Sequence, residues 1–193
     1  VFSNSGTKTI SNALSNIDGT VTISDEAVLD TENRTFSGTA DLVMTDNALF
    51  RMAALNSTLP QLTGNYSLTG GTIELYGSEE TQTHSLRTGV TYNKLELNAS
   101  AANLNYKEAN IVLSSGTLTL RSDMNVNSPA VFKTGATSII EGAGTFNLKE
   151  SATLKYGHAD GITNDTQTGN IRTSVRNYNA NANYGLTGSA SPQ

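Results

Sequence analysis

Short runs in which apolar and polar residues alternate return along this chain at a nearly constant spacing, and that return restricts the fold more than any other feature. The runs include Val21-Thr22-Ile23, Leu42-Val43-Met44, Leu49-Phe50-Arg51-Met52, Thr72-Ile73-Glu74-Leu75-Tyr76 and Tyr92-Asn93-Lys94-Leu95-Glu96-Leu97. Asn110-Ile111-Val112-Leu113, Thr117-Leu118-Thr119-Leu120, Thr145-Phe146-Asn147-Leu148 and Thr153-Leu154-Lys155-Tyr156 continue the series. Alternation at period two, bounded by Gly, Asn, Asp and Ser, marks short strands with one buried face. Nearly the same step leads from Val21 to Leu42, from Ile73 to Leu95, from Leu95 to Leu118 and from Leu118 to Ile139. An extra loop from Asn56 to Gly64 interrupts the rhythm.

A period of about 20–25 residues is what one coil of a solenoid requires, each coil supplying two or three strands and their corners. One coil cannot bury its own apolar face, whereas coils stacked about 4.8 Å apart bury it against each other. The expected fold class is all-β: a single-stranded parallel β-solenoid, a right-handed β-helix, over residues 1–160. An Asn- and Gly-rich closing or linking segment is expected over 161–193. A β-sandwich also accommodates about a dozen short strands. A repeated phrase favours the solenoid: Leu68-Thr69-Gly70-Gly71-Thr72-Ile73, Leu113-Ser114-Ser115-Gly116-Thr117-Leu118 and Ile140-Glu141-Gly142-Ala143-Gly144-Thr145-Phe146. In the solenoid register Leu95, Leu97, Ile111, Leu113, Leu118, Leu120, Phe146 and Leu148 point inward.

Composition narrows the classes of function. With 12 Lys and Arg against 17 Asp and Glu, and a formal net charge of -5, the chain has no basic excess for phosphates, so nucleic acid is not an expected partner. The chain has no cysteine, so neither disulfides nor thiolate metal sites enter. No run approaches the roughly 20 apolar residues of a membrane-spanning helix. The opening Val1-Phe2-Ser3-Asn4 carries no basic, apolar leader, and it reads as a piece of a longer polypeptide or a proteolytic product.

Candidate chemistry is sparse. His84 follows Glu79-Glu80-Thr81-Gln82-Thr83, a stretch that reads as a solvated loop. His158 precedes an Asp160-Gly161 turn, without a marked nucleophile nearby. Asp160, Asn164 and Asp165 offer oxygen ligands in one loop, a set that suits calcium, although the spacing is not that of a twelve-residue calcium loop. No other cofactor is expected. Asp41, Asp46, Arg121 and Asp123 are the candidates for an outer groove of the kind polysaccharide-acting β-helix enzymes use. Alternate threonines, as at Thr20 and Thr22 or Thr117 and Thr119, would make a flat array only if successive rungs repeated them. The chain has no Trp and 7 Tyr, so a sugar platform would rest on tyrosines such as Tyr76, Tyr92 or Tyr106. Tyr178 and Tyr184 in the Asn-rich tail are the foremost ligand-binding candidates.

The phrase Val90-Thr91-Tyr92-Asn93-Lys94-Leu95-Glu96-Leu97 resembles the strand phrase of very large, repetitive surface proteins of Bacteroidetes. A second likeness is Ala152-Thr153-Leu154-Lys155-Tyr156-Gly157-His158-Ala159-Asp160-Gly161-Ile162, followed by Gly169-Asn170-Ile171-Arg172, Arg176-Asn177-Tyr178-Asn179 and Ala182-Asn183-Tyr184. The likeness covers roughly residues 66–190. Autotransporter passenger domains and filamentous haemagglutinin-like proteins are similar in composition. The resemblance implies export by the type IX route, attachment to the bacterial cell surface, and adhesion or gliding, with no catalytic residues to carry over. Surface glycans or other cell-surface proteins are then the expected partners. The chain is expected to be a non-enzymatic structural or adhesive segment, and a carbohydrate-active β-helix enzyme or a carbohydrate-binding module is the alternative.

Overall fold

The computed structural model describes residues 1–53, 57–77, 83–99, 110–163 and 165–187, and every strand pairing in it is parallel. The chain winds through successive three-sided coils. The first holds β1 (Gly6–Thr9), β2 (Leu14–Ile17) and β3 (Thr20–Ile23), and the second β4 (Ala27–Asp30), β5 (Phe36–Gly38) and β6 (Asp41–Met44). The third holds β7 (Leu49–Met52), β8 (Ser57–Leu59) and β9 (Tyr66–Leu68), and the fourth β10 (Thr72–Gly77), β11 (Thr83–Leu86) and β12 (Thr91–Tyr92).

In the fifth and sixth coils two sides merge into one long bent strand, giving β13 (Lys94–Ala99) with β14 (Asn110–Leu120), then β15 (Met124–Val126) with β16 (Val131–Gly142). β17 (Thr145–Leu148) and β18 (Thr153–Tyr156) follow, and β19 (Val175–Tyr178) and β20 (Asn183–Leu186) complete the last coil. The first side is one eight-stranded sheet ordered β1-β4-β7-β10-β13-β15-β17-β19. The protein is therefore a single-stranded parallel β-solenoid. Among the described residues no helix is long and apolar enough to cross a membrane.

Along the early part of the first side the step between stacked partners is nearly even: Val28 stacks on Leu49, Leu49 on Thr72 and Thr72 on Lys94. The step then lengthens, with Leu95 on Met124 and Thr145 on Val175. Two of the sequence spacings are true stacking registers, Val21 on Leu42 and Ile73 on Leu95. The spacing of Leu95 and Leu118 is not: Leu95 stacks on Met124, while Leu118 lies on another side and stacks on Ile140. More residues separate β13 from β14 along the sequence than separate β10 from β11, which shifts the apparent period.

Inward side chains form continuous columns. On the first side Leu29, Phe50, Ile73, Leu95, Met124 and Phe146 stack in register, each no more than 1% exposed. On the second side Ile111, Phe132 and Leu154 make a shorter column. All eight residues expected to point inward, from Leu95 to Leu148, are buried. Burial of a large apolar side chain contributes about 1.5–3 kcal/mol, and stacking shares that gain between neighbouring coils.

Corners are set by local chemistry. The chain turns from the third side to the first through left-handed backbone at Asp25 (φ 54°), Asp46 (φ 54°) and Gly71 (φ 72°), a conformation that Asp tolerates better than most residues and that costs Gly nothing. Gly135 answers a different demand, since a Cβ there would sit 1.8 Å from the Ser114 carbonyl oxygen in the coil beneath.

Candidate functional site

The outer face of the first sheet carries the densest polar cluster of the described residues. In parallel register, residues at equivalent positions stack directly, so one outward position per strand generates a row: Thr9, Asp30, Arg51, Glu74, Glu96, Asn125, Asn147 and Asn177. At one end Arg51 bridges two carboxylates, with Nη1 3.1 Å from Asp30 Oδ2 and Nε 2.8 Å from Glu74 Oε2. Its guanidinium also lies 4.7 Å from the Tyr76 ring centroid, a cation–π distance. The Tyr76 hydroxyl donates to Asp30 Oδ1 at 2.8 Å. Burial works to lower the Arg51 pKa, but the Glu74 hydrogen bond and the charges of Glu74 and Asp30 outweigh it and raise the value. Burial, then the bond to Asp30, pushes the Tyr76 phenol well above its ordinary value.

Glu74 and Glu96 are direct neighbours, a like-charge pair that would repel if each lacked its own donors. Each has them. Asn98 Nδ2 donates to Glu74 Oε1 at 2.7 Å. Glu96 Oε1 accepts from Asn125 Nδ2 at 2.7 Å and lies 3.0 Å from Lys94 Nζ, while Oε2 accepts from Asn127 Nδ2 at 2.8 Å. Beyond Glu96 the row becomes an amide ladder, Asn147 Nδ2 donating to Asn125 Oδ1 at 2.9 Å and Asn177 Nδ2 to Asn147 Oδ1 at 2.7 Å. Every donor in this stretch points toward Glu96, so the amide dipoles align toward the carboxylate.

The ladder ends beside Tyr178, whose ring lies 5.9 Å from Phe146 and 6.5 Å from Tyr184 between centroids. Burial pushes the Tyr178 phenol up to about 12, and its hydroxyl is buried with no hydrogen-bond partner among the described residues. Tyr184 is 44% exposed, and its hydroxyl donates to Asn179 O at 3.0 Å. Asn147, Arg176, Asn177 and Tyr178 line part of an adjoining depression of about 440 Å³. The two tyrosines proposed from sequence are thus in contact, one inside the last coil and one on its surface. Of the other tyrosines, Tyr92 is fully buried and donates to Arg87 O at 2.9 Å, so it is a core residue and not part of a platform. Tyr106 lies outside the described residues.

The loop after β18 holds the oxygen-rich candidates. Asn170, 1% exposed, anchors it: Oδ1 accepts from Thr134 Oγ1 at 2.9 Å and from the amides of Gly157 and His158 at 3.2 and 3.0 Å. Its Nδ2 donates to Gly135 O at 2.8 Å and Ser138 O at 2.7 Å. Asp165 Oδ1 accepts from the Gln167 amide at 2.8 Å in a local turn. Asp160 sits by His158, whose Nδ1 accepts from the Asp160 amide at 3.1 Å. The 3.6 Å approach of Asp160 Oδ2 to Nδ1 is too long for a hydrogen bond. Asn164 lies outside the described residues. Among the described residues no three His, Cys, Asp or Glu side chains group as a metal site.

His84 departs from expectation. It is fully buried on β11, in register with Ser57 and Ile111, because position 84 falls on the inward phase of a strand and not in a solvated loop. Of the groove candidates, Asp41 opens β6 and its Oδ1 accepts from the Asn65 amide at 2.7 Å, Asp46 lies in the turn after β6 and its Oδ2 accepts from Thr45 Oγ1 at 2.8 Å, and Arg121 and Asp123 lie between β14 and β15. The threonines make no array, Thr20 stacking on Asp41 and Thr117 on Ile139. Sequence reasoning passed over the polar row itself, although Asp30, Arg51, Glu74 and Glu96 recur at the same step as the apolar runs around them, and that spacing was the available signal. No protein-family model, curated protein or solved structure matches this chain.

Proposed function

We propose that this chain is a non-catalytic structural or adhesive segment of a large secreted bacterial surface protein, acting as a stalk or as an extended contact surface for surface glycans or other cell-surface proteins. One observation carries the reading: each oxygen of Glu74 and Glu96 already takes a donor from the protein. A general acid or base needs an oxygen within reach of substrate or water, whereas these oxygens tie one coil to the next. The polar row also runs along the stack and does not converge in an enclosed cleft, which suits a function spread over a surface. The likeness to repetitive adhesin-like proteins supports export and a place at the cell surface.

A second reading keeps one observation in its favour, the convergence of Asp30, Arg51, Glu74, Lys94 and Glu96 on one face. On that reading the chain is a carbohydrate-active β-helix enzyme. A panel of polysaccharides separates the two. The adhesive reading expects retention of the protein on some immobilised glycans or cell surfaces with no release of reducing or unsaturated ends. Turnover that disappears in Glu74→Gln or Glu96→Gln would replace it with the enzymatic one.

A further inference from the structure

Outward charge is unevenly divided between the sides of the solenoid. The second side is built from β8, β11, β18, β20, residues 110–113 of β14 and residues 131–134 of β16, and none of these segments holds an Asp or Glu. Two outward cations stand there, Lys133 and Lys155, stacked directly on one another. Like charges one rung apart, about 4.8 Å in a sheet, cost stability unless an anion lies across them. Among the described residues neither lysine has a carboxylate within ion-pair distance, although the chain as a whole carries a formal net charge of -5. The clustered carboxylates lie on the first side, where Glu74 and Glu96 already have their donors.

The lysine row continues into a hollow. Thr58 stacks on Ser85, Ser85 on Val112, Val112 on Lys133 and Lys133 on Lys155. Where this row begins, Thr58, Ser85, Arg87, Thr88, Ser114 and Ser115 line a depression of about 280 Å³ in which Arg87 is the one charged residue. Arg87 Nε donates to Pro60 O at 2.8 Å, which fixes the guanidinium before a ligand arrives. Among the described residues no carboxylate pairs with it. Tyr66 supplies no counter-charge either, since burial pushes its phenol up to about 12 and the Arg87 charge offsets this only in part. None of the five hydroxyls lining the hollow is taken up by a hydrogen bond among the described residues.

We propose that the second side is the glycan-binding face of this solenoid and that its ligand is a linear acidic polysaccharide. One uronate carboxylate sits on Arg87, neighbouring sugar hydroxyls meet the Ser and Thr hydroxyls, and later carboxylates lie on Lys133 and Lys155. A planar guanidinium suits a carboxylate held in one orientation, whereas the ammonium groups act as point charges for a chain in several orientations. The face is a flank of the stack, so it stays open however far the coils continue at either end. The inference rests on the adhesive reading and names the class of glycan.

Retention on immobilised alginate, compared with neutral dextran and with polyglutamate, tests this. Wild type is expected to be held by alginate and released by added salt. Dextran should not hold it, and polyglutamate, which offers carboxylates without sugar hydroxyls, should hold it more weakly. Lys133→Gln and Lys155→Gln should each weaken alginate binding about fivefold, and Arg87→Gln about tenfold. The lysine ammonium groups make no hydrogen bond or ion pair among the described residues, so their variants keep the test valid if Arg87→Gln, which gives up the bond to Pro60, fails to fold. Arg121→Gln removes the same charge from an exposed position between β14 and β15 and should bind like wild type. Unweakened binding by the lysine variants, an equal loss in Arg121→Gln, or equal retention on polyglutamate would overturn the proposal. Failure to bind alginate with retention on dextran or on cell surfaces would overturn it and leave the adhesive reading standing. Binding with release of unsaturated ends from alginate would uphold this face and replace the adhesive reading.

Discussion

Replacing Phe132 by alanine is expected to destabilise the protein by about 3–5 kcal/mol, the range for deleting a buried aromatic ring. Phe132 is fully buried, stands between Ile111 and Leu154 in its column, and lies 6.4 Å from the Phe146 ring. The space left behind would open between two neighbouring coils and also toward the first side, and the parallel backbone ladders on either flank hold those coils too firmly to collapse into it. In a solenoid the damage is partitioned, because each coil contacts its neighbours only. The loss should therefore appear in a urea titration as early unfolding of the coils around β14 to β18. A Phe132→Leu variant, which keeps most of the volume, should lose less than half as much. A loss under about 1 kcal/mol for Phe132→Ala would mean that this position does not carry the core.

Arg51→Ala is the second large effect, expected at about 2–3 kcal/mol, below the cost of about 3–5 kcal/mol for breaking one partner out of a fully buried pair. Truncation leaves Asp30 and Glu74 without their shared cation, while their side chains remain 11% and 13% exposed. The Arg51 side chain is 33% exposed, and water would reach the vacated position, so the lower figure applies. Arg51→Lys should recover part of the loss, since an ammonium serves as a point charge but cannot span both carboxylates as the planar guanidinium does. Chemical denaturation of the three proteins at matched ionic strength measures this. A change under about 0.5 kcal/mol for Arg51→Ala would class the cluster with ordinary exposed ion pairs.

The fold was legible in the sequence because the solenoid repeats its chemistry at every coil. Inward Leu95, Leu97, Leu118 and Phe146 alternate with polar neighbours, and the stacking of Val21 on Leu42 and of Ile73 on Leu95 appears directly as spacing. Registry failed where the sequence spacing between strands changes: β13 and β14 stand further apart along the chain than β10 and β11, so Leu95 and Leu118 look like successive rungs although they occupy different sides. His84 was misread for a related reason, since the Glu79-Glu80 stretch before it suggested exposure while strand phase placed it inside.

The polar row was harder to see. Asp30, Arg51, Glu74 and Glu96 lie one to a strand and become a cluster only when the coils are laid over one another. The ladder of Asn125, Asn147 and Asn177 depends on parallel stacking that no local pattern reveals.

Native-state hydrogen exchange on the intact chain tests the stacked-coil account most directly. Strands held on both sides by neighbouring coils should open only with high free energy, and strands with one neighbour should open early. Amides of Leu95 to Leu97, Ile111 to Leu113 and Leu118 to Leu120 are therefore expected to exchange slowest, and those of Thr7 to Thr9 and of Arg176 to Tyr178 fastest, with protection rising coil by coil toward the middle. Equal protection of β1, β13 and β19, or rapid exchange from Ile111 to Leu113, would contradict it.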